Sequence, residues 1–321
     1  MINRRLILSS LAAAATLPRP GWSADYPARS IRIVVPFPAG STTDAMARFL
    51  GDKVSRELGQ TVVVDNRPGA QGGIAASEVA RAKPDGYTLF AGTNSTQAAN
   101  VHLFDKLSYD PQADFTGITR FAINPLVLVV RADFPATNLE QFLQLARSRS
   151  GGLNFGVGNT GSLVTVSKLM VMTNFSAVAI NYPGSPQAIT DLLGGRLDFM
   201  ITDVSVTRAH LESGKLRALG VTTGQRLAVL PSIPTLAEAG VKGYEFSAWG
   251  GLFAPAKTPR PIVEQLSKTF AAAITSGDGR AFFEKQGQVG APMSPDAFDR
   301  YVVQETEIWG RLLAQANVKK Q

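Results

Sequence analysis

Residues 31–44, which read IRIVVPFPAGSTTD, decide the fold of this chain. Four of the first five are apolar and β-branched, which predicts a short buried strand. Pro36, Pro38 and Gly40 end that strand, and the capping residues 41–44 then precede a helical pattern. In parallel α/β sheets, such a junction of strand, loop and helix N-terminus is where ligands bind. Its free N–H groups and the positive end of the helix dipole favour an anion, so we predict that it holds a carboxylate.

The same unit of strand, small polar loop and helix recurs along the chain. This alternation predicts a mostly parallel sheet with right-handed crossovers. Because each loop follows the C-terminal end of a strand, the loops are expected at one edge of the sheet. Further strands are predicted at residues 61–64, 87–91, 153–157, 177–182 and 197–202, and polar loops at 92–96, 158–162 and 183–186.

Two segments predict crossings between lobes. Residues 122–125 precede the strongly β-prone run 126–130, and the strand at 247–254 is expected to lead back. Two crossings predict an α/β protein of two lobes, each with a mostly parallel sheet flanked by helices, and a ligand cleft between them. The expected limits are 25–123 plus 249–321 for lobe 1, which is discontinuous, and 124–248 for lobe 2.

The composition excludes several classes of site. There is no cysteine among the 321 residues, which removes disulfides, iron–sulfur clusters, zinc–cysteine sites and cysteine nucleophiles. His102 and His210 are the only histidines, so we expect no metal, no cofactor and no catalytic residue. The net charge of +7 is spread along the chain, whereas nucleic-acid binding needs a basic cluster. The excess suits an anionic small molecule, or it serves solubility alone.

The first 24 residues are predicted to be an export signal. Arg4 and Arg5 precede an apolar stretch at 6–17 that is too short to span a bilayer, and cleavage is expected near Ala24. Residues 3–8 also resemble a twin-arginine signal, so export by either Sec or twin-arginine machinery stays open. Without a cysteine no lipoprotein anchor is possible, so the mature protein is expected free in the periplasm.

Several motifs resemble, in order, those of one known family. Residues 36–44 are similar to its opening pattern P-F-x-x-G-G-x-x-D. Further matches are NRPGA at 66–70, PDGYTL at 84–89, DLLGGRLD at 191–198, LPSIPT at 230–235 and APA at 254–256. The ordered set resembles the Bug-type substrate-binding receptors of tripartite tricarboxylate transporters.

The resemblance implies a type II periplasmic-binding-protein fold that closes on a small mono- or dicarboxylate and delivers it to integral-membrane permease subunits. A monomer without enzyme activity is expected. The implied ligand-binding residues of the first lobe are Phe37, Ala39, Gly40, Ser41, Asp44, Thr93, Asn94, Ser95 and Thr96. Those of the second lobe are Gly158, Asn159, Thr160, Gly161, Ser162, Tyr182, Pro183, Gly184, Ser185 and Asp203.

Some of these residues have two interpretations. Ser41 stands where the family usually has its second glycine, and it can cap the helix, bind the ligand or do both. Asp44 can cap the helix or order the loop N–H groups, or it can face an amine or hydroxyl of the ligand. Asp203 can touch ligand or water. Tyr182 is a core ring or a lid, and Trp249 lies in the hinge core or lines the cleft.

Two other functions remain open at this stage. An enzyme would need a nucleophile with a base, and the chain has no G-x-S-x-G motif, although paired acids stay possible. A receptor that feeds a signalling partner rather than a permease would bind its ligand in the same way.

Overall fold

The computed structural model describes residues 26–318 and Lys320, so the export signal predicted at 1–24 lies outside the described residues. Within that described part, no helix is long and apolar enough to cross a membrane. The strands are β1 (Ile31–Val35), β2 (Val62–Asn66), β3 (Thr88–Thr93), β4 (Phe115–Arg131), β5 (Leu153–Val157), β6 (Ala177–Asn181), β7 (Phe199–Asp203), β8 (Leu216–Val221), β9 (Ser247–Pro255) and β10 (Val289–Gly290).

The helices alternate with these strands. They are α1 (Thr42–Leu58), α2 (Gly73–Ala80), α3 (Asn100–Leu103), α4 (Leu139–Ser148), α5 (Thr160–Thr173), α6 (Ser185–Leu193), α7 (Val204–Glu212), α8 (Arg260–Thr275), α9 (Gly277–Lys285) and α10 (Pro295–Gln315). A π-helical turn, Ser95–Ala99, precedes α3, and a 3-10 turn, Ala70–Gly72, precedes α2.

The sheet confirms the predicted α/β fold of two lobes. The strand order is β2-β1-β3-β9-β4-β7-β5-β6, and β8 and β10 also pair with β4. We call β1–β3 with their flanking helices the first lobe, and β5–β8 with theirs the second lobe. Within each lobe the outer strands pair in parallel, as expected. The long strands β4 and β9 pair antiparallel with every neighbour, so the sheet as a whole is mixed.

The crossing between lobes expected at residues 122–125 is part of a strand and not a loop between two strands. Strand β4 runs without interruption for 17 residues, and Pro125 lies inside it opposite Ser247. The proline removes one N–H donor at the point where β4 changes neighbours, from β9 to β7 and β8. A strand can therefore carry a proline there and still connect both lobes. The exact domain limits stay a prediction.

The core continues through the connecting strands. The main hydrophobic cluster includes Phe90 of the first lobe, Phe199 of the second and Trp249 of β9. A second cluster packs α1 and α8 on the outer face of β1, and a third packs α6 against β4 and β7. The C-terminal helices return to the first part of the chain, with α8 on α1 and α10 on β4. This packing holds the C-terminal ends of the parallel strands in both lobes.

Several predicted loops are the first turns of helices. Helix α5 begins at Thr160 and α6 at Ser185, although residues 158–162 and 183–186 were expected to be loops. The segment after Thr93 is helical from Ser95, and helix α7 was not predicted at all. The physical reason is that glycine, serine and threonine, which favour loops, also occupy helix starts, where free N–H groups tolerate them.

Candidate functional site

A small cavity, of which about 30 Å³ is accessible to a water-sized sphere, lies where the two lobes face each other. Its walls come from the C-terminal ends of the parallel strands and from the connecting strands β4 and β9. The lining residues are Phe37, Ser41, Thr42, Thr43, Thr93, Asn94, Ser95, Asn124, Gly158, Asn159, Ser185, Asp203, Ala248 and Trp249.

Four helices begin at this cavity. Helix α1 of the first lobe follows β1 directly, and α5, α6 and α7 of the second lobe follow β5, β6 and β7. The cavity lining includes the first residue or the N-cap of each of them: Thr42, Asn159, Ser185 and Asp203. Each start presents free N–H groups and a partial positive charge, so their convergence favours an anion.

Ser41 caps helix α1. Its side chain accepts the N–H of Asp44 at 3.3 Å, and it also lines the cavity. The next two amides, those of Thr42 and Thr43, have no acceptor anywhere in the described part of the chain. These N–H groups at the first turn are therefore available to a ligand.

Asp44 lies beneath the loop rather than in the cavity lining. Its carboxylate accepts the N–H of Gly40 at 3.0 Å and the side-chain amide of Asn66 at 2.9 Å, and it pairs with Arg48. Burial alone would raise the pKa of Asp44, but the hydrogen bonds from Arg48, Gly40 and Asn66 lower it below its usual value. Asp44 thus orders the loop N–H groups, which is one of its two predicted roles.

Two asparagines present their amide groups to the cavity as donors. The Oδ1 atom of Asn94 accepts the N–H of Trp249 at 3.2 Å. The Oδ1 atom of Asn159 accepts the N–H of Ser162 at 2.9 Å and completes a capping box at the start of α5. Because each oxygen is committed, the NH₂ group of each side chain remains for a ligand acceptor.

Asp203 is the acidic exception. It ends strand β7, and its side chain makes no capping bond to α7. Burial raises the pKa of Asp203 to about 6, although hydrogen bonds from its own main chain and from the Thr42 hydroxyl act in the opposite direction. A carboxyl group that exchanges its proton near neutral pH therefore lies inside a site otherwise built from donors.

The two lobes touch around the cavity. The hydroxyls of Thr42 and Ser205 lie 2.8 Å apart, one from each lobe. The Thr160 hydroxyl donates to Asn100 Oδ1 at 3.3 Å. Gly184 lies against the ring of Pro38 so closely that a Cβ there would be 2.6 Å from Pro38 Cδ. These contacts join the two lobes around the cavity.

The structure brings about half of the predicted site residues into the lining. These are Phe37, Ser41, Thr93, Asn94, Ser95, Gly158, Asn159, Ser185 and Asp203. The other ten are not among the lining residues, and ligand contact by them stays a prediction; they are Ala39, Gly40, Asp44, Thr96, Thr160, Gly161, Ser162, Tyr182, Pro183 and Gly184. The hydroxyl of Tyr182 donates to Asp191 at 2.8 Å, which directs it away from the cavity.

Five lining residues were not among the predicted site residues: Thr42, Thr43, Asn124, Ala248 and Trp249. Asn124 had one available signal, since it is a polar residue between two apolar runs, 121–123 and 125–130. Trp249 combines both of its predicted roles. It is 1% exposed in the core, its indole N–H donates to Glu305 at 2.7 Å, and it still borders the cavity.

Known proteins match this chain over most of its length. The family described as "Tripartite tricarboxylate transporter family receptor" matches residues 46–318. A solved protein of R. palustris with adipate is 36% identical and has a TM-score of 0.90. The match covers 92% of this chain and 100% of that protein's chain. The periplasmic binding protein BugD is 32% identical with a TM-score of 0.88, over 92% and 100% of the two chains. MatC from Rhodopseudomonas palustris with bound malate is 32% identical with a TM-score of 0.84, over 90% and 100%.

Proposed function

This chain belongs to the receptor family of tripartite tricarboxylate transporters, with Bug-type proteins among its relatives, and we propose that it captures a small mono- or dicarboxylate between its lobes. The observation that carries this proposal is the convergence of four helix N-termini, from both lobes, on one cavity. Similar proteins were solved with adipate and with malate, both of which are carboxylates.

The proposed mechanism is capture by closure. In an open form, either lobe offers only its own helix starts to the ligand. In the closed form, the amides of Thr42 and Thr43 face those of α5 and α6 across the cavity, so a carboxylate gains donors from both sides. Because only the closed form makes both sets of contacts, the ligand shifts the population towards closure. Charge-assisted hydrogen bonds then select the spacing of the acidic groups.

Delivery to a membrane permease follows from the same proposal. We expect the protein to be exported, to work as a monomer in the periplasm with lobe limits of 25–123 plus 249–321 and 124–248, and to release its ligand to permease subunits. No turnover of the ligand is expected, since the family is one of receptors. Recovery of unchanged acid after prolonged incubation with the protein tests that point, and a new product would contradict it.

A thermal-shift screen tests the proposed ligand class. We expect organic acids to raise the melting temperature, with a stabilisation of about 2.7 kcal/mol when the ligand is at a hundred times its Kd. Sugars and metal cations in the same screen should have no effect. A screen in which only sugars or cations stabilise the protein would overturn the carboxylate assignment.

The variant Asn94→Asp tests whether the stabilisation comes from binding in the cavity. The substitution keeps the oxygen that accepts the Trp249 N–H but replaces the free NH₂ group by a negative charge. We expect carboxylate binding to weaken at least about a hundredfold, because a donor becomes a repelling charge. Asn174→Asp is the matched control, since Asn174 is exposed at the far end of α5. Equal losses in both variants would show that the effect does not come from the site.

A further inference from the structure

Asn124 has a buried side-chain amide whose oxygen is unpartnered in the described part of the chain. It lies on β4, it is 4% exposed, and it lines the cavity. Its Oδ1 atom has no hydrogen-bond partner among the described residues. A buried polar group left in this state costs stability, and native proteins seldom keep one without a use. The other cavity asparagines differ, because the Oδ1 atoms of Asn94 and Asn159 are occupied by main-chain N–H groups.

A second unpartnered oxygen lies in the same wall. The hydroxyl of Thr93, at the end of β3, also has no partner in the described part of the chain and is buried. Strand β9 separates the two residues, with Thr93 opposite Gly250 on one side and Asn124 opposite Ala248 on the other. Two unpartnered polar groups, on the two strands that flank β9, therefore belong to residues that line one cavity.

Asp203 adds an acceptor that a carboxylate cannot satisfy. It is opposite Leu126 on β4, two residues beyond Asn124, and it lines the same cavity. Residues in this diagonal relation lie on the same face of a sheet, roughly 7–8 Å apart. The helix starts and the amides of Asn94 and Asn159 are donors, whereas Asn124 and Asp203 offer acceptor oxygens. A plain carboxylate would leave Asn124 Oδ1 without a partner, and it would bring another acceptor towards the Asp203 carboxyl group.

We propose that Asn124 and Asp203 select ligands that carry a hydrogen-bond-donating hydroxyl or amine beside a carboxylate, over plain acids of the same length. This inference rests on the proposed function and names the subclass of acid. The carboxylate oxygens accept from the helix starts, and the substituent donates to Asn124 Oδ1 or to the Asp203 carboxylate. A hydroxyl can at the same time accept from the Thr93 hydroxyl, which gives the second orphan group a partner.

Calorimetric titration of matched acids tests the inference. Each plain acid is compared with a substituted acid of the same length: propionate with lactate, succinate with malate or aspartate, and adipate with 2-hydroxyadipate. In the pair whose length fits the cavity, we expect the substituted acid to bind at least about tenfold more tightly, since a site that pairs a polar group rejects the analogue lacking it. Equal affinities within every pair would overturn the inference while leaving carboxylate binding intact. If no acid binds, the proposed function fails as well.

Two variants assign the preference to these residues. Asn124→Leu and Asp203→Asn should each reduce the ratio of the two Kd values within a pair to about threefold or less, because each substitution removes or weakens an acceptor for the substituent. Gln288→Leu is the matched control, because Gln288 is also a buried amide with unpartnered atoms but lies outside the cavity lining. Asn124→Ala serves where the leucine variant does not fold. A full preference retained in both Asn124 and Asp203 variants would contradict the assignment.

Discussion

Thr42 of the first lobe and Ser205 of the second meet hydroxyl to hydroxyl across the mouth of the cavity, 2.8 Å apart. Each sits in the first turn of a helix, α1 or α7, whose N-terminus begins at the cavity. The same turns that supply N–H groups to the site therefore also join the lobes. We therefore expect lobe closure and ligand binding to be coupled through these turns.

Ser205→Ala removes one partner of this contact. Ser205 is not in the cavity lining, so we expect the selectivity to stay unchanged while the closed form loses about 1 kcal/mol. The Kd for a bound carboxylate should rise about fivefold. Calorimetry measures the affinity, and small-angle scattering should show a more open ligand-free protein. Ser213→Ala, at the exposed end of the same helix, is the control. An unchanged Kd would show that the hydroxyl pair contributes nothing to closure.

Gly184 gives a steric test of closure. Its φ of −175° is extended backbone that any residue adopts, so alanine causes no local strain. In the closed form, however, the new Cβ would lie 2.6 Å from Pro38 Cδ in the opposite lobe. We expect Gly184→Ala to weaken ligand binding more than about tenfold, with little change in the melting temperature of the ligand-free protein.

Gly194→Ala is the matched control for that experiment. Gly194 lies at the other end of α6, where a Cβ would be 3.4 Å from the nearest atom, the Thr190 oxygen. We expect the Gly194→Ala variant to bind the ligand with the Kd of the wild type. If Gly184→Ala also binds normally, the lobes do not approach as closely in solution as in this structure.

Local sequence signals predicted the elements that depend on neighbours in the chain. Strand β1 and helix α1 follow from an apolar run, two prolines and the capping residue Ser41, all within 28 residues from Ile31 to Leu58. Gly59, which ends α1 with a φ of 64°, is likewise a signal that lies next to the element it defines. Such signals act within one turn or one strand, so these elements can be predicted from the sequence without knowledge of the tertiary structure.

Other features could not be predicted because they depend on contacts between distant segments. Strand β4 continues through Pro125 since β7 and β8 replace β9 as its neighbours there. The cavity role of Asn124 depends on the same exchange. Helix α7 has a mixed sequence, and its start is defined by its position after β7 rather than by a capping side chain. Long-range packing overrides local propensity in these cases.

Asp44→Ala tests the support of the loop beneath the anion site. The substitution leaves the N–H of Gly40 and the amide of Asn66 without their acceptor and removes the pairing with Arg48. We expect a loss of about 2–3 kcal/mol in the free energy of unfolding, and weaker carboxylate binding because the α1 turn is less ordered.

Urea denaturation measures that loss against Asp52→Ala. Asp52 lies on the same helix and pairs with Arg56 at the same spacing, but both side chains are exposed. An exposed pair of this kind is worth less than about 0.5 kcal/mol. Equal effects of the two substitutions would contradict a special role for Asp44.

Asp203→Asn should make the ligand-free protein more stable at neutral pH. Burial raises the pKa of Asp203 to about 6 in the folded state, against an ordinary value of 3.8. Between these two values the folded state binds more protons than the unfolded state, so the free energy of unfolding falls as pH rises. Above pH 6 the wild type therefore carries a cost of about 3 kcal/mol that asparagine avoids, and below pH 4 the two proteins should be equally stable.

Urea denaturation of both proteins between pH 4 and pH 8 measures this difference. Burial also raises the pKa of Asp299 and Glu305, but those groups are present in both proteins and cancel in the comparison. Asp105→Asn, at an exposed carboxyl, is the control for the chemical change itself. A stability difference that stays constant over the whole pH range would mean that Asp203 titrates normally. In that case its carboxylate is already paired in the ligand-free protein, and the substituent of a hydroxy or amino acid has no vacant charge to meet at this position.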